Sequence, residues 1–455
     1  MPGWTGPARD IMMWSARYRT RRRRPPLRRG VALSKMLVDL ISIPLFTGVV
    51  GYITNWTGVL MLFRPLRFYG VAVPGLRMLF PYLPRRVQVL PLIRYDGRLG
   101  WQGIVPSRAD KMASIAVDKG LAKLGSIRDF YRELEPDRIA EHLAQIAQSE
   151  IHDVVDTIMR QENPKLWHDL PPIIKEAVFA RVRAQLPAIL RSITDEIGEN
   201  VDQLIDAKLM VISYFVDHPE LLNELFLIMG RKELRFMQNF GFYFGLPMGF
   251  VLFGILQVAP YWWVLPIGGV IIGWVVNYIG IEMIFEPIHP KRWVPWRQGL
   301  LIKRQSEVTE LYAKMVADKV ITLQNIGNEL LTGPSSDRTL QLLEDSLRPA
   351  VDNAIGPARA AVRVAIGPRE YDQIRASVAT EATGFAPIAF NDAEFSKRQS
   401  GKIYTFISNQ MRQMSPDDFV EMLRSAIKQD EWLLFFHGGA LGLFAGLLHL
   451  AIFGV

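Results

Sequence analysis

Gly51-Tyr-Ile-Thr-Asn55-Trp-Thr-Gly58-Val-Leu-Met61-Leu-Phe63-Arg-Pro65 is written a second time, in altered form, as Gly273-Trp-Val-Val-Asn277-Tyr-Ile-Gly280-Ile-Glu-Met283-Ile-Phe285-Glu-Pro287. Six positions are identical at a constant offset of 222: Gly51/Gly273, Asn55/Asn277, Gly58/Gly280, Met61/Met283, Phe63/Phe285 and Pro65/Pro287. The aromatic beside each Asn is interchanged in type, Trp56 against Tyr278. Both copies close a strongly apolar run, so the repeated unit begins inside a membrane. A duplicated membrane unit is the sequence signature of a pseudo-symmetric assembly.

Working outward from the repeat, four apolar blocks stand out at residues 37–63, 239–258, 262–285 and 433–453. Each is near the ~20 residues that cross ~30 Å of hydrocarbon as a helix. With 49% hydrophobic and 22% charged residues, the chain of 455 is not of the disordered class. The predicted fold is all-α: an integral membrane protein with four transmembrane helices in two duplicated halves, and long amphipathic helices forming a helical extramembrane domain. Its order is a basic tail (1–36), a first span (37–63), a helical segment (64–238), spans two and three (239–258 and 262–285) joined by a tight turn at Pro260, a second helical segment (286–432) and a last span (433–453). Four crossings place both termini on one side of the membrane and both polar segments on the other.

The net charge of +8 resembles a nucleic-acid signal until it is divided along the chain. Residues 1–36 carry ten Lys/Arg against one Asp, so the excess is a local tail. Arg21-Arg22-Arg23-Arg24 ahead of an apolar helix reads as the cytoplasmic anchor of the positive-inside rule, giving cytoplasmic termini and extracytoplasmic helical segments in a bacterial inner membrane. An anionic-lipid or nucleic-acid patch, and a start at Met36, are the alternative readings of the tail. Arg64, Arg67, Arg231, Lys232, Arg235, Lys291, Arg292 and Arg297 pull against this orientation, but long segments translocate largely regardless of charge. A cleaved signal peptide is not expected, because the first apolar run is long and keeps Thr54 and Asn55 inside it. The absence of cysteine excludes disulfides, Cys-ligated zinc and a thiol nucleophile.

The polar segments carry helical periodicity. Met112, Ile115, Leu121 and Ile127 mark one helix over 107–131, and Ile139, Leu143, Val154 and Ile158 another over 136–160. Ser415-Pro416-Asp417-Asp418 is a helix start, with Ser as cap and Pro in the first turn. Residues 136–143 and 416–423 share four identities and suggest a further trace of the duplication. Only the proline-rich residues 68–106 leave room for strands.

Beyond the Met-x-Phe-x-Pro close the copies resume their correspondence, Gln102-Gly103-Ile-Val-Pro106-Ser-Arg108 against Gln298-Gly299-Leu-Leu-Ile302-Lys-Arg304. From about residue 37 onward the chain resembles the bacterial membrane-protein family known as domain of unknown function 445. That resemblance implies an inner-membrane protein with a long helical extramembrane part, and no established activity. The chain departs from the family pattern by a Pro- and Arg-rich insertion around 70–100, and by Ile302 where the turn has Pro106.

Among the polar residues, Asn55 and Asn277 are the most telling. An unpaired amide in hydrocarbon is costly, so each should bond to another helix or to a freed backbone group. The competing reading is a solute or ion site formed with Glu282. Gly241, Gly245, Gly249 and Gly438, Gly442, Gly446 form two ridges that let helix backbones approach, and Leu there should disrupt packing more than Ala. Trp262, Trp263, Trp293, Trp296 and Trp432 read as an aromatic belt. His152 and Asp156 read as a solvated helix face. No catalytic, cofactor or metal residue is singled out, and no enzyme activity or cofactor is expected. The expected function is a non-enzymatic envelope scaffold or a handler of lipid-like molecules. Its expected partners are membrane lipids, envelope proteins or a second copy, and not nucleic acid. A small-solute or ion transporter is the alternative.

Overall fold

The computed structural model describes residues 27–454 except 85–87, 89, 357–362, 365, 366, 375 and 379–391, so most of the basic tail lies outside the described residues. In chain order the main elements are α1 (Leu27–Phe63), β1 (Tyr69–Ala72), β2 (Arg98–Trp101), α2 (Ala109–Leu124), α3 (Pro136–Glu162), α4 (Pro172–Leu204), α5 (Ala207–Asp217), α6 (Pro219–Met229) and α7 (Arg231–Val258). There follow α8 (Val264–Phe285), α9 (Gln305–Met315), α10 (Leu323–Thr332), α11 (Ser336–Ile355), α12 (Ala393–Gln413), α13 (Pro416–Lys428) and α14 (Glu431–Phe453). The fold is all-α, and α1, α7, α8 and α14 are long and apolar enough to cross a membrane. Pro44 and Pro247 lie inside α1 and α7.

The spans pair within each half, α1 along α7 and α8 along α14. The ridge glycines face the opposite span rather than each other. Gly241, Gly245 and Gly249 lie on Gly51, Thr47 and Pro44 of α1, while Gly438, Gly442 and Gly446 lie on Gly273, Gly269 and Pro266 of α8. A Cβ on Gly51 would stand 2.2 Å from the carbonyl oxygen of Gly241, and one on Gly442 would stand 2.0 Å from that of Gly269. At these positions even alanine meets backbone, so a methyl already carries a cost there.

Gly241, Gly245 and Gly249 precede Gly438, Gly442 and Gly446 by a constant 197 residues. Duplication therefore reaches the second span of each half. At the same offset Pro219, which opens α6, matches Pro416, which opens α13, and each helix leads directly into a span. The likeness of 136–143 to 416–423 is thus not the structural correspondence, because the counterpart of α13 is α6 and not α3.

The stripe over 107–131 is divided. α2 ends at Leu124, Gly125 takes φ +142°, and a new helix starts at Ile127 behind a capping box. In that box the Ser126 hydroxyl accepts from the Asp129 backbone N–H and the Asp129 carboxylate accepts from that of Ser126. The start at Ser415 has the expected cap, its hydroxyl accepting from the Asp418 N–H. The proline-rich stretch holds a two-stranded antiparallel ribbon, pairing Tyr69 with Trp101 and Val71 with Leu99.

Outside the membrane the halves cross. α2 of the first half packs on α13 of the second, and α9 of the second packs on α6 of the first. Lys119 bonds Glu421 at 2.6 Å along the first of these contacts. One hydrophobic core runs through both halves, from Val59 and Phe63 to Leu433 and Leu434. α4, packed on α3 and α11, extends from it as an arm. Its 33 residues span ~50 Å at the helical rise.

Candidate functional site

Where the four spans leave the apolar block, the duplicated motif builds the same turn twice. The two spans that carry it, α1 and α8, each lead into an X-Pro bond, Arg64–Pro65 or Glu286–Pro287, and both are cis. The chain then returns. Gly103 N–H donates to the Pro65 carbonyl at 2.9 Å and Gly299 N–H to that of Pro287 at 3.0 Å. The Gln102 and Gln298 amides donate to the carbonyls of Leu66 and Ile288, each at 2.8 Å. Both glycines are required by close approach, since a Cβ on either would lie 2.8 Å from the carbonyl carbon of Phe63 or Phe285. Phe63, Phe285 and Pro106 are buried; Met61 packs against the core, and the Met283 carbonyl accepts from Leu300 N–H. The Ile302 departure leaves a 3-10 turn, Ile302–Arg304, where the first half has a helical turn, Ile104–Ser107.

Each turn delivers an arginine to the other half. Arg108 pairs with Asp430, and Arg304 Nη1 donates to both oxygens of Glu233 at 2.7 and 2.6 Å. Glu233 and Asp430 are each 4% exposed, eight residues before Gly241 and Gly438 respectively. The ion pairs are therefore duplicated as well as crossed. A carboxylate this deep needs a charged, hydrogen-bonding partner to offset the cost of its burial. The free edge of the Arg304 guanidinium forks onto Glu307, with Nε and Nη2 both at 2.9 Å, and Lys232 reaches the same carboxylate at 2.9 Å. Arg304, then Lys232, hold the Glu307 carboxyl at about 2, far below the ordinary Glu range. Glu307 in turn raises the Arg304 pKa, with Glu233 adding to it against the cost of burial.

A third cluster has no duplicate. Arg424 of α13 donates to Glu282 at 2.8 Å, to Glu431 at 3.0 Å and to Glu286 at 3.4 Å. Burial opposes the Arg424 charge, but Glu431 and Glu282 outweigh it and raise the pKa. Glu282 thus serves an ion pair at the span end. Between the crossed pairs lies an apolar cavity of about 110 Å³, lined from both halves by Phe63, Met229, Met237, Ile284, Phe285 and Leu434.

Higher in the bundle the two asparagines occupy matching places. Asn55 Nδ2 donates to the Met237 carbonyl at 2.6 Å and Asn277 Nδ2 to that of Leu434 at 2.7 Å. Each accepting residue lies four before a ridge glycine, so both amides bond the paired span at the same register. Gly58 faces His437 and Gly280 faces Phe240, contacts between halves at ordinary distance, 3.7 and 3.6 Å from a notional Cβ. A cavity of about 50 Å³ between the halves is bordered by Asn55, Thr47, Thr54 and His449. His449 Nε2 lies 3.4 Å from the Ser42 hydroxyl of α1. Trp262, Trp263, Trp293 and Trp432 are exposed around the spans, whereas Trp296 turns inward and donates to the Glu286 carbonyl at 2.7 Å. His152 and Asp156 do not form a site, since Asp156 accepts from Trp167 Nε1 and Arg160, each at 2.7 Å.

Sequence reasoning quoted Arg108 and Arg304 as repeat positions and did not single out Glu233 or Asp430. Their signal is the 197-residue offset combined with acidity, which an identity search passes over because one is Glu and the other Asp.

No protein-family model matches the chain, and no solved structure matches it. Among curated proteins it is 39% identical over 66 residues to a UPF0754 membrane protein of Bacillus cytotoxicus, 14% of this chain and 18% of the relative. The same identity and coverage hold for a UPF0754 membrane protein of Bacillus mycoides, and a relative in Bacillus thuringiensis is 38% identical over 66 residues. The matched stretch spans under a fifth of the relatives' own length. The relatives carry a different label from the family the repeat motif resembles, so that finer assignment rests on the motif alone. With four membrane-length helices and relatives that are bacterial membrane proteins, this chain is a membrane protein similar in part to an uncharacterised group.

Proposed function

We propose that the protein is a non-enzymatic scaffold of the bacterial inner membrane, holding a rigid helical arm at the membrane surface for envelope partners. The observation that carries this reading is the crossed pairing of Arg108 with Asp430 and Arg304 with Glu233. The buried charged groups at the membrane exit are spent on joining the two halves to each other. The cavity beside Asn55, about 50 Å³, is too small for an organic solute, and both asparagine amides donate to backbone. Both facts support a scaffold over a carrier.

In a complementation scan, changes at the exposed carboxylates Asp153 and Glu196 should be nearly silent, as changes of solvated surface charge usually are. Function should instead fail at the repeated glycines that meet backbone, Gly51 and Gly273, and at Arg108, Arg304 and the repeated prolines. A single exposed Asp, Glu or His whose loss abolished function with insertion intact would replace the scaffold by an enzyme or an ion-coupled carrier.

The reading places the termini in the cytoplasm and the arm outside it. Because the native chain has no cysteine, Ser34→Cys should be protected from a membrane-impermeant thiol reagent in intact cells and Ser149→Cys labelled. The reverse pattern inverts the topology.

A further inference from the structure

The two halves close the same turn with loops of very different length. Between Pro287 and Gln298 the second half uses residues 288–297, whereas between Pro65 and Gln102 the first half uses residues 66–101. The turn itself does not require the longer loop. What the longer loop adds is a surface. Tyr69, Val71 and Leu99 are 83%, 70% and 45% exposed, and cross-strand pairing puts Tyr69 with Trp101 and Val71 with Leu99 on one face of the ribbon. Met78, Tyr82 and Tyr95 extend the exposed set at 81%, 86% and 70%. A two-stranded ribbon has no core of its own, and large apolar side chains exposed on one of its faces mark an interaction surface.

Position and charge identify what covers it. Both ends of the insertion are pinned to the span exit, with Trp101 Nε1 donating to the Arg64 carbonyl at 3.2 Å and Gly103 N–H to that of Pro65. Arg64 directly follows the last residue of the span, so the insertion starts and ends at the membrane boundary. Residues 66–101 carry six Arg, at 67, 77, 85, 86, 94 and 98, against one acidic residue, Asp96. The Arg94 guanidinium lies over the Phe68 and Tyr95 rings at 5.7 and 5.8 Å. Aromatic and aliphatic side chains interleaved with arginine at this depth match a bilayer interface, with rings at headgroup level and guanidinium groups on lipid phosphates.

We propose that the described residues of the 66–101 insertion lie on the bilayer beside the spans and recognise anionic lipid headgroups. It is a second membrane contact, belonging to the first half alone and independent of the scaffold reading. The test uses the full chain in liposomes, with Val71→Cys or Tyr82→Cys carrying an environment-sensitive fluorophore and Ser149→Cys as control. In vesicles of phosphatidylcholine with phosphatidylglycerol, headgroup-level nitroxide lipids should quench positions 71 and 82 at least about threefold more than position 149. That difference should shrink in phosphatidylcholine alone, and in the combined variant Arg67→Gln/Arg77→Gln/Arg94→Gln/Arg98→Gln. Quenching by aqueous iodide equal to that at position 149 overturns the proposal. So does equal lipid quenching with and without phosphatidylglycerol. Shielding from both quenchers also overturns it and assigns the face to a protein partner or a second copy.

Discussion

Replacing Arg304 by Ala is expected to lower the stability of the detergent-purified protein by about 3–5 kcal/mol, the usual cost of leaving one member of a buried ion pair alone. Glu233, at 4% exposure, loses both of its donated hydrogen bonds and the one cation that offsets its burial. Arg108→Ala should cost a similar amount through Asp430. Glu307→Ala removes the more exposed partner of the same guanidinium, where solvent screens the pair, and should cost far less. Restoring neutrality separates desolvation from packing. Because the adjoining cavity is apolar, Arg304→Leu with Glu233→Leu should recover most of the loss. The measurement is denaturant or thermal unfolding followed by tryptophan fluorescence. If Arg304→Ala costs no more than Glu307→Ala, the crossed pair does not hold the halves together.

The local part of this architecture is legible in the chain, and the part that depends on partner choice is not. Length and apolarity mark each span, because crossing hydrocarbon leaves a helix few alternatives. The Ser415 cap is equally local, since it concerns one hydroxyl and an N–H three residues on. Asn55 and Asn277 announce that each needs a partner, because an amide in hydrocarbon must bond to something. Their partners, the Met237 and Leu434 carbonyls, lie 182 and 157 residues away, and no local pattern selects them. The ridges show the same division, as four-residue spacing reveals a close-packing face without revealing the helix that meets it. Crossing is the hardest feature to read. Arg108 and Glu233 belong to one half and Arg304 and Asp430 to the other, and the simplest inference from duplication is pairing within a half. The break at Gly125 was hidden because a 3.6-residue stripe continues across it in the sequence, while a positive φ and the Ser126 capping box end one helix and begin the next.

The glycines of the repeat should divide into two classes with opposite response to one methyl group. In the first class are Gly51, Gly241, Gly273 and Gly438, where a Cβ would lie 2.1–2.3 Å from the nearest atom on the paired helix. Those atoms are backbone carbonyl oxygens or, at Gly438, the Asn277 amide nitrogen that bonds Leu434. Neither can turn aside without displacing a helix, so Gly51→Ala or Gly273→Ala should cost about 3 kcal/mol, the upper end of overpacking penalties. In the second class are Gly58 and Gly280, where the same atom makes ordinary contact at 3.7 and 3.6 Å with His437 and Phe240. No clash offsets the helix preference for alanine there, so Gly58→Ala and Gly280→Ala should be neutral or stabilising by up to about 1 kcal/mol. Asn55→Leu falls between the classes. It removes a bond to a carbonyl on the paired span and a side-chain oxygen with no hydrogen-bond partner, so its cost should stay near the ~0.6 kcal/mol average of interhelical bonds in membranes. Thermal unfolding of the four alanine variants and Asn55→Leu in one detergent gives the order. Equal losses at Gly51 and Gly58 would mean that backbone contact between paired spans does not hold each half together.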